Sequence, residues 1–312
     1  MKCLHSIFFI ILIFISHVIY AGGTDGFEFL RMDLGSRVAA MGGASVAGGG
    51  NLQNLIYNPA SLVGIETTQV AFSYQNYISD IQNGVLAFHK QWGERASVAA
   101  HLAYLNYGTI DRTTTQGEQD GSFTPGDFAL GVSYARFMTD RLCWGATVKF
   151  IHSQLDQYAS SAAAVDAGMI LHIPGQLMRI GLSIQNLGQA FDPFLETREK
   201  LPLAFRTGLS KRLAHLPLEL QFDIIKYAFR ESTLPLGLYW ALGGEFTISD
   251  HFLLRWGYQF KGQEQRIGAN AERFAGISFG LGFRIKQFLI DYAFNSYGAL
   301  GAVNTFTVTR TF

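Results

Sequence analysis

Three histidines are the side chains best suited to acid-base or nucleophilic chemistry in this sequence. Each lies on the more polar face of a segment in which large apolar residues alternate with small or polar ones. A lipid hydrolase would need one of these imidazoles beside a serine, and we predict no Gly-x-Ser-x-Gly nucleophile elbow and no serine paired with them. We therefore predict structural roles, and no catalytic residue, for His89, His101 and His172.

The acidic residues give no stronger signal for a metal site. Asp166 and His172 are the nearest pair of suitable types, but six positions of strand separate them by roughly 20 Å. Four loop carboxylates offer oxygen ligands to calcium, yet none follows the spacing of a calcium-binding loop, so solvated charge is the favoured interpretation. These four are Asp156, Asp192, Glu264 and Glu272. We predict neither a metal nor a cofactor.

Two features of the N-terminal region invite a functional interpretation. The run GGASVAGGG at 42–50 is rich in glycine, but no Gly-Lys-Ser/Thr ending and no βαβ pattern follow it, so a phosphate loop is not predicted. Asn58 precedes Pro59, and a residue before proline avoids the helical region. The pair is expected to break this region into two pieces, either as a gate or, as we favour, at the end of a fixed plug.

The elements that must position these residues are strands. Asp127 to Phe137 places large apolar residues at every second position and Asp, Ala, Gly or Ser between them, the period of a strand with one apolar face. The same pattern recurs to the end of the chain, in about 14 segments of about 9 to 11 residues, the length of a tilted membrane strand. The predicted strands are 69–75, 84–92, 96–107, 127–137, 143–151, 164–173, 179–187, 203–210, 218–224, 238–247, 252–260, 275–285, 288–295 and 304–312.

Composition agrees with a membrane β-barrel. Charged residues make up 15% of the 312 residues, well below the usual quarter for soluble domains. The 34 glycines and 26 phenylalanines suit tight packing and aromatic girdles. Formal charge is balanced, which gives no reason to expect nucleic acid as a partner.

The first 21 residues have the pattern of a secretory signal peptide. Lys2 precedes an apolar run from Ile7 to Ile15, and a short segment then ends at Ala21. Cys3 lies before the apolar run, so cleavage would leave Cys143 as the single cysteine and exclude an internal disulfide. We expect residues 1–21 to be removed, 22–66 to form a small plug with helical turns, and 67–312 to form the barrel.

The connections sort by length. Tight turns alternate with longer polar loops, such as 93–94 and 286–287 against 111–126, 153–163, 188–200, 227–235 and 261–273. Short turns on one side and long loops on the other are typical of an outer-membrane barrel, with the short turns in the periplasm. The sequence therefore predicts an all-β protein, a 14-stranded antiparallel transmembrane β-barrel with a small, partly helical N-terminal plug.

Charge distinguishes the two faces of the strands. The apolar face must contact lipid, where an Arg or Lys at the midplane costs roughly 2 to 4 kcal/mol; Lys90 and Arg310 have this parity and are expected near an interface. The opposite face is predicted to line the lumen. Its charged residues are Asp127, Lys149, Asp166, Arg206, Glu219, Asp223, Glu245, Arg255, Arg284 and Asp291.

Several motifs resemble one family of outer-membrane proteins. They are FEFL at 27–30, SRVAAMGGASVA at 36–47, NPASL at 58–62, LPLAFRTGLSKRL at 201–213, GGEF at 243–246 and YGALGAVNTFTV at 297–308. The whole of 22–312 resembles the PorV/PorQ family of FadL-like barrels, with PorQ members the most similar. This resemblance implies a plugged 14-stranded barrel that works with other proteins of the type IX secretion system at the outer membrane.

Two functions follow from these observations. In the first, which is favoured, a non-enzymatic barrel docks secretion-system proteins for the secretion or surface attachment of cargo. In the second, suggested by the wider FadL-like group, the barrel transports a hydrophobic small molecule. The lumenal face consists mainly of Gly, Ala, Ser and charged residues, which favours docking, because a transporter needs a continuous apolar path.

Overall fold

A computed structural model describes residues 26–193, 199–228, 237–260 and 274–312. The predicted signal peptide and Glu264 and Glu272 lie outside these ranges, as do parts of the predicted loops 188–200, 227–235 and 261–273. Within the described ranges, no helix is both long and apolar enough to cross a membrane.

Fourteen antiparallel strands form a closed barrel, as the sequence predicts. Closure occurs between the first and last strands, where Gln69 pairs with Thr311 and Asn76 with Asn304. Because every barrel strand has two neighbours, the described barrel has no open sheet edge. The barrel strands are β1 (Gln69–Asn76), β2 (Gln82–Trp92), β3 (Ala96–Asn106), β6 (Gly126–Phe137), β7 (Leu142–Leu155), β8 (Tyr158–Ile173), β9 (Met178–Ala190), β10 (Ala204–Arg212), β11 (Leu218–Tyr227), β12 (Leu238–Thr247), β13 (Phe252–Gln259), β14 (Ile277–Ile285), β15 (Phe288–Ser296) and β16 (Ala302–Thr311).

Two of the predicted loops are wrong. The expected polar loop 111–126 contains a separate hairpin, β4 (Ile110–Thr113) and β5 (Gln119–Phe123). The expected loop 153–163 is instead strand, because β7 and β8 continue until Leu155 pairs with Tyr158. Both errors have one cause: polar or small residues replace the large apolar residues whose alternation marks a strand.

The short turns lie at the end of the barrel that the loop lengths assign to the periplasm. They connect the strands at 93–95, 138–141, 174–177, 213–217, 248–251 and 286–287. Lys286 adopts a positive φ of 54° in the tightest of them, as a two-residue hairpin requires. The hairpin β4–β5 and the extended ends of β7 and β8 lie at the opposite, outer end.

The strand faces divide as the alternation predicts. Large apolar side chains such as Phe72 (53% exposed) and Val148 (64% exposed) point outward, where lipid would cover them. The inward positions are mostly small or polar and are buried. They are buried because residues 26–66, called here the inner segment, pack against them.

The inner segment has little regular structure. Its one α-helix, α1, spans Ser36–Ala40, and 3₁₀ turns occupy Glu28–Arg31, Leu52–Asn54 and Pro59–Leu62. Helix α1 contacts β13 to β16, whereas the Pro59–Leu62 turn contacts β6 to β8 on another part of the wall. The inner segment therefore bridges the barrel interior.

Candidate functional site

The interior of the barrel is the candidate site, because the inner segment meets the inward-facing charges there. At the outer end, Phe27 and Phe29 form an apolar cluster with Leu105 and Ile151 of the wall. Toward the turns, Leu55 and Leu62 join a second apolar cluster with Ala135 and Cys143. Apolar contacts thus hold the segment near both ends of the barrel.

Wall glycines allow the inner segment to approach the strands closely. A Cβ on Gly145 would lie 2.6 Å from the carbonyl carbon of Pro59, and one on Gly243 would lie 2.5 Å from the carbonyl oxygen of Met41. Cβ atoms on Gly168, Gly181 and Gly257 would collide with the inner segment in the same way. Inward glycines are therefore a packing surface for backbone.

Asn58 is fully buried and ties the inner segment to the wall. Its Nδ2 donates to the carbonyl oxygen of Val46 at 2.7 Å and lies 3.3 Å from those of Met169 and Leu182. Its Oδ1 accepts from the backbone N–H of Ala60 at 3.0 Å, capping the turn that Pro59 begins. This pair ends one part of the inner segment and anchors it at the same place.

The central feature of the interior is a network of ion pairs around Glu245. Its carboxylate accepts from Arg37 of helix α1 at 2.9 and 3.2 Å and from Arg255 at 2.6 Å. Arg255 also donates to Asp291 at 2.6 Å, and Gln53 of the inner segment donates to the other oxygen of Asp291 at 2.8 Å. Each buried charge is thus paired, as burial requires.

Arg37 connects this network to a second one. Its guanidinium lies 3.8 Å from Glu219, which also accepts from Arg179 at 2.7 Å. Burial alone would lower the pKa of Arg37, but the carboxylates of Glu245 and Glu219 raise the pKa above its ordinary value. Arg37 therefore stays charged although it is buried.

Two further groups of polar contacts complete the interior. Asp223 accepts from the backbone N–H groups of Ser45 and Val46 at 2.8 and 2.9 Å, so part of the glycine-rich run binds a carboxylate of the wall. Lys149 pairs with Asp166 at 2.8 Å and also donates to Asn186. Asn186 has a positive φ of 60° at the place where the register of β8 and β9 shifts.

The structure places nine of the ten predicted lumenal residues inside the barrel. Glu245 keeps 15% of its side chain exposed. Arg284 has inward parity but lies at the turn end of β14, where it is exposed and donates to the carbonyl oxygen of Asp250 at 2.9 Å. The eight residues buried outright are Asp127, Lys149, Asp166, Arg206, Glu219, Asp223, Arg255 and Asp291.

The predicted histidines have structural contacts. His89 Nδ1 lies 3.0 Å from the carbonyl oxygen of Thr67, His101 is buried beside Gly131, and His172 Nε2 lies 3.9 Å from Cys143 Sγ. The letters Gly-x-Ser-x-Gly do occur at 276–280. There Ser278 lies within strand β14 and donates to the carbonyl oxygen of Ala40 at 3.0 Å, so this is no nucleophile elbow.

Of the four acidic loop residues considered for calcium, the structure describes Asp156 and Asp192. Asp156 pairs with Arg112 of the β4–β5 hairpin, and Asp192 is exposed. Among the described residues, no three His, Cys, Asp or Glu side chains come together as a metal site would require. The contacts of these loop carboxylates are those of surface charge.

Arg37 and Gln53 carry much of the interior network, and sequence reasoning missed both. Arg37 stands in the small, apolar run Ser36–Ala40, where one basic residue indicates a buried partner. Nothing local distinguishes Gln53. Its partner Asp291 is 238 positions away, so the pairing depends on the register of the whole barrel.

Two small cavities lie between the inner segment and the wall in the part of the chain that the structure describes. One cavity of about 20 Å³ lies beside Leu34, Leu55 and Ala71. Another of about 20 Å³ lies beside Phe29 and Lys149. Each has room for about one water molecule, far less than the several hundred Å³ of a typical ligand pocket.

Comparison with solved structures identifies the fold. The Pseudomonas putida toluene transporter TodX matches with a TM-score of 0.63 and 12% identity, over 94% of this chain and 98% of that one. The Ralstonia pickettii toluene transporter TbuX gives 0.61 and 15%, over 89% and 98%. A Pseudomonas aeruginosa FadL homologue gives 0.54 and 12%, over 89% and 97%. The fold is that of a FadL-like outer-membrane β-barrel.

The amino-acid sequence identifies the family. Residues 21–178 match the family model described as type IX secretion system protein PorV. This chain belongs to the PorV family. No curated protein matches its sequence.

Proposed function

We propose that this protein is a non-enzymatic, permanently plugged component of the type IX secretion system that docks partner proteins for the secretion or surface attachment of cargo. Membership of the PorV family supports the system. The filled interior carries the choice of docking over transport, because the inner segment crosses the barrel and is anchored to β strands on several sides. Within the family, the motifs at 201–213 and 297–308 support a PorQ-like member.

The proposal divides the chain into three parts. Residues 1–21 act as a signal peptide that is removed, 22–66 form the plug, and 67–312 form the barrel. The buried ion pairs of Arg37 and the hydrogen bonds of Asn58 support a fixed plug rather than a gate. Both anchors would have to break, and leave buried charge unpaired, before a passage could open.

Transport of a hydrophobic molecule is the competing function. Two toluene transporters share the fold, and apolar residues of the inner segment gather at the outer end. The charged interior opposes this function, because an apolar molecule that crossed the barrel beside helix α1 would meet the Glu245 network. Neither of the two small cavities has room for such a molecule.

Native mass spectrometry of the protein, gently extracted from its own outer membrane, tests the proposal directly. Secretion-system or cell-surface proteins that co-purify in fixed ratio, with no small ligand, are the expected result. A lone barrel that carries a hydrophobic molecule would reverse the ranking of the two functions. Replacing 109–124 by a Gly-Ser linker would then show whether the exposed β4–β5 hairpin contributes to docking.

A disulfide lock separates the two functions in cells. The hydroxyl oxygens of Ser36 and Thr307 lie 2.8 Å apart, so Ser36→Cys with Thr307→Cys is expected to tie helix α1 to β16 under oxidising conditions. Docking predicts that secretion continues in the locked protein. Secretion that stops only in the oxidised double variant, and returns on reduction, would show that the plug must move. Ser36→Cys alone is the control.

A further inference from the structure

The lipid-facing side of the barrel carries charge of one sign only. Among the outward positions of the described barrel strands, the charged residues are all cationic and no Asp or Glu occurs. One of them is at the outer end of β11; the other four lie near the periplasmic ends of their strands. The five residues are Lys90, Arg136, Lys211, Lys226 and Arg310.

Three of these residues form an arc. Arg310, Lys90 and Arg136 lie on β16, β2 and β6, and the strand order β16-β1-β2-β3-β6 separates each from the next by one strand. Two strand spacings are about 10 Å. All three side chains are exposed and lie within three residues of the end of a strand. Lys211 is four strands away from Arg136 and is not part of this cationic arc.

Aromatic side chains fix the depth of the cationic arc in the membrane. The Arg310 guanidinium lies 4.3 Å from the ring centre of Phe312 and 5.7 Å from that of Phe288. Trp92 is 66% exposed and follows Lys90 by two positions. Arg136 pairs across the strands with Trp144. Aromatic residues of this kind lie at the level of lipid headgroups.

We propose that the cationic arc binds the phosphate groups of anionic phospholipids in the periplasmic leaflet. Its side chains extend sideways from the barrel, so they face lipid, whereas a periplasmic protein would first meet the turns. The nearby acidic residues lie outside the strands and do not share this face: Asp140 is held by Arg95 at 2.9 Å, whereas Glu66 and Glu94 are exposed before β1 and in the β2–β3 turn. Lys and Arg stems cover apolar surface while their charged groups reach the headgroups.

The test measures lipid retention by the full-length protein. The barrel is exchanged from detergent into defined mixtures of phosphatidylglycerol and phosphatidylethanolamine, and bound lipids are counted by native mass spectrometry. The variant combines Lys90→Gln, Arg136→Gln and Arg310→Gln. Lys226→Gln removes one charge from the same face at the opposite end and serves as the control. Heat-modifiable gel mobility confirms that each barrel is folded.

We expect the wild type to retain phosphatidylglycerol preferentially. The triple variant should lose on the order of tenfold or more of this preference. Lys226→Gln should match the wild type. Equal retention by the triple variant, or no preference in the wild type, would overturn the proposal. So would loss of a co-purifying acidic protein with lipid retention unchanged. If the triple variant does not fold, the salt dependence of the wild type is the test instead. Its retention of phosphatidylglycerol should then fall as salt rises, and retention that does not change with salt would overturn the proposal.

Discussion

Glu245 shows how strongly a single residue can matter in this interior, because one carboxylate serves two buried guanidinium groups. Glu245→Gln would leave Arg37 and Arg255 without their shared partner. Removing one member of a buried ion pair typically costs about 3 to 5 kcal/mol, and we expect a loss of that size in urea unfolding from lipid vesicles. Asp140→Asn, which breaks the exposed pair with Arg95, is the matched control and should change stability little. Equal losses of stability in the two variants would mean that water reaches the Glu245 network.

Glu199 provides a residue-scale prediction that depends on pH. It lies in the connection between β9 and β10, and burial together with the nearby Asp127 carboxylate raises its pKa above the ordinary value. A raised acid pKa means that the ionised form is disfavoured in the folded state, a penalty present at neutral pH and absent once the group is protonated in both states. Glu199→Gln should therefore stabilise the protein at pH 7, with the gain vanishing below about pH 4. Glu118→Gln at the exposed hairpin is the control, and a pH-independent gain would contradict this reasoning.

The sequence alone predicts the strand face on which these side chains lie, but it does not predict their ion-pair partners. Strand parity assigns Glu245, Arg255 and Asp291 to one face because the side-chain period is two. Their partners depend on strand register and on Arg37, which belongs to a segment without a clear period. The rim position of Arg284 was missed for a related reason: parity gives the face of a residue but not its depth.

At the scale of elements, the sequence predicts the barrel strands but not the β4–β5 hairpin or the detailed fold of the inner segment. Each predicted strand overlaps a barrel strand, because large outward residues alternate with small inward ones along all of them. The β4–β5 hairpin escaped prediction because it has no membrane face to impose that alternation. The fold of the inner segment was not predictable in detail, since its path follows the wall glycines and its short turns have no helical period.

The inward-facing glycines of the wall determine how closely the inner segment packs against the strands. Gly145→Ala or Gly243→Ala would place a methyl group against inner-segment backbone, which cannot move as a side-chain end does. Overpacking of this kind typically costs about 1 to 3 kcal/mol, measured as the urea midpoint. Gly84→Ala is the control, because it has lipid-facing parity and its Cβ would lie 3.9 Å from the nearest atom, the carbonyl oxygen of Ser73. Equal tolerance of all three substitutions would show that the inner segment is loosely held.

At the scale of the whole molecule, a barrel of 14 strands is wide enough to need something in its interior. Here the covalently attached inner segment fills this role, and two apolar clusters and ion pairs such as that of Arg37 with Glu245 hold it to the wall. The wall could not bury so many charged residues without that segment, and the segment has too little regular structure to fold alone. Barrel and inner segment therefore stabilise each other.

This mutual dependence predicts the electrical behaviour of the protein. In planar bilayers the wild type should show no steady conductance, because the inner segment fills the path. Arg37→Ala combined with Asn58→Ala removes two anchors and should give discrete openings. Those openings should prefer cations, because Glu219 and Glu245 lose a positive neighbour. Arg95→Ala changes an exposed charge at the rim and should stay closed. A wild-type protein with a steady open level would contradict the closed interior, and openings without cation preference would mean that the path avoids the Glu245 network.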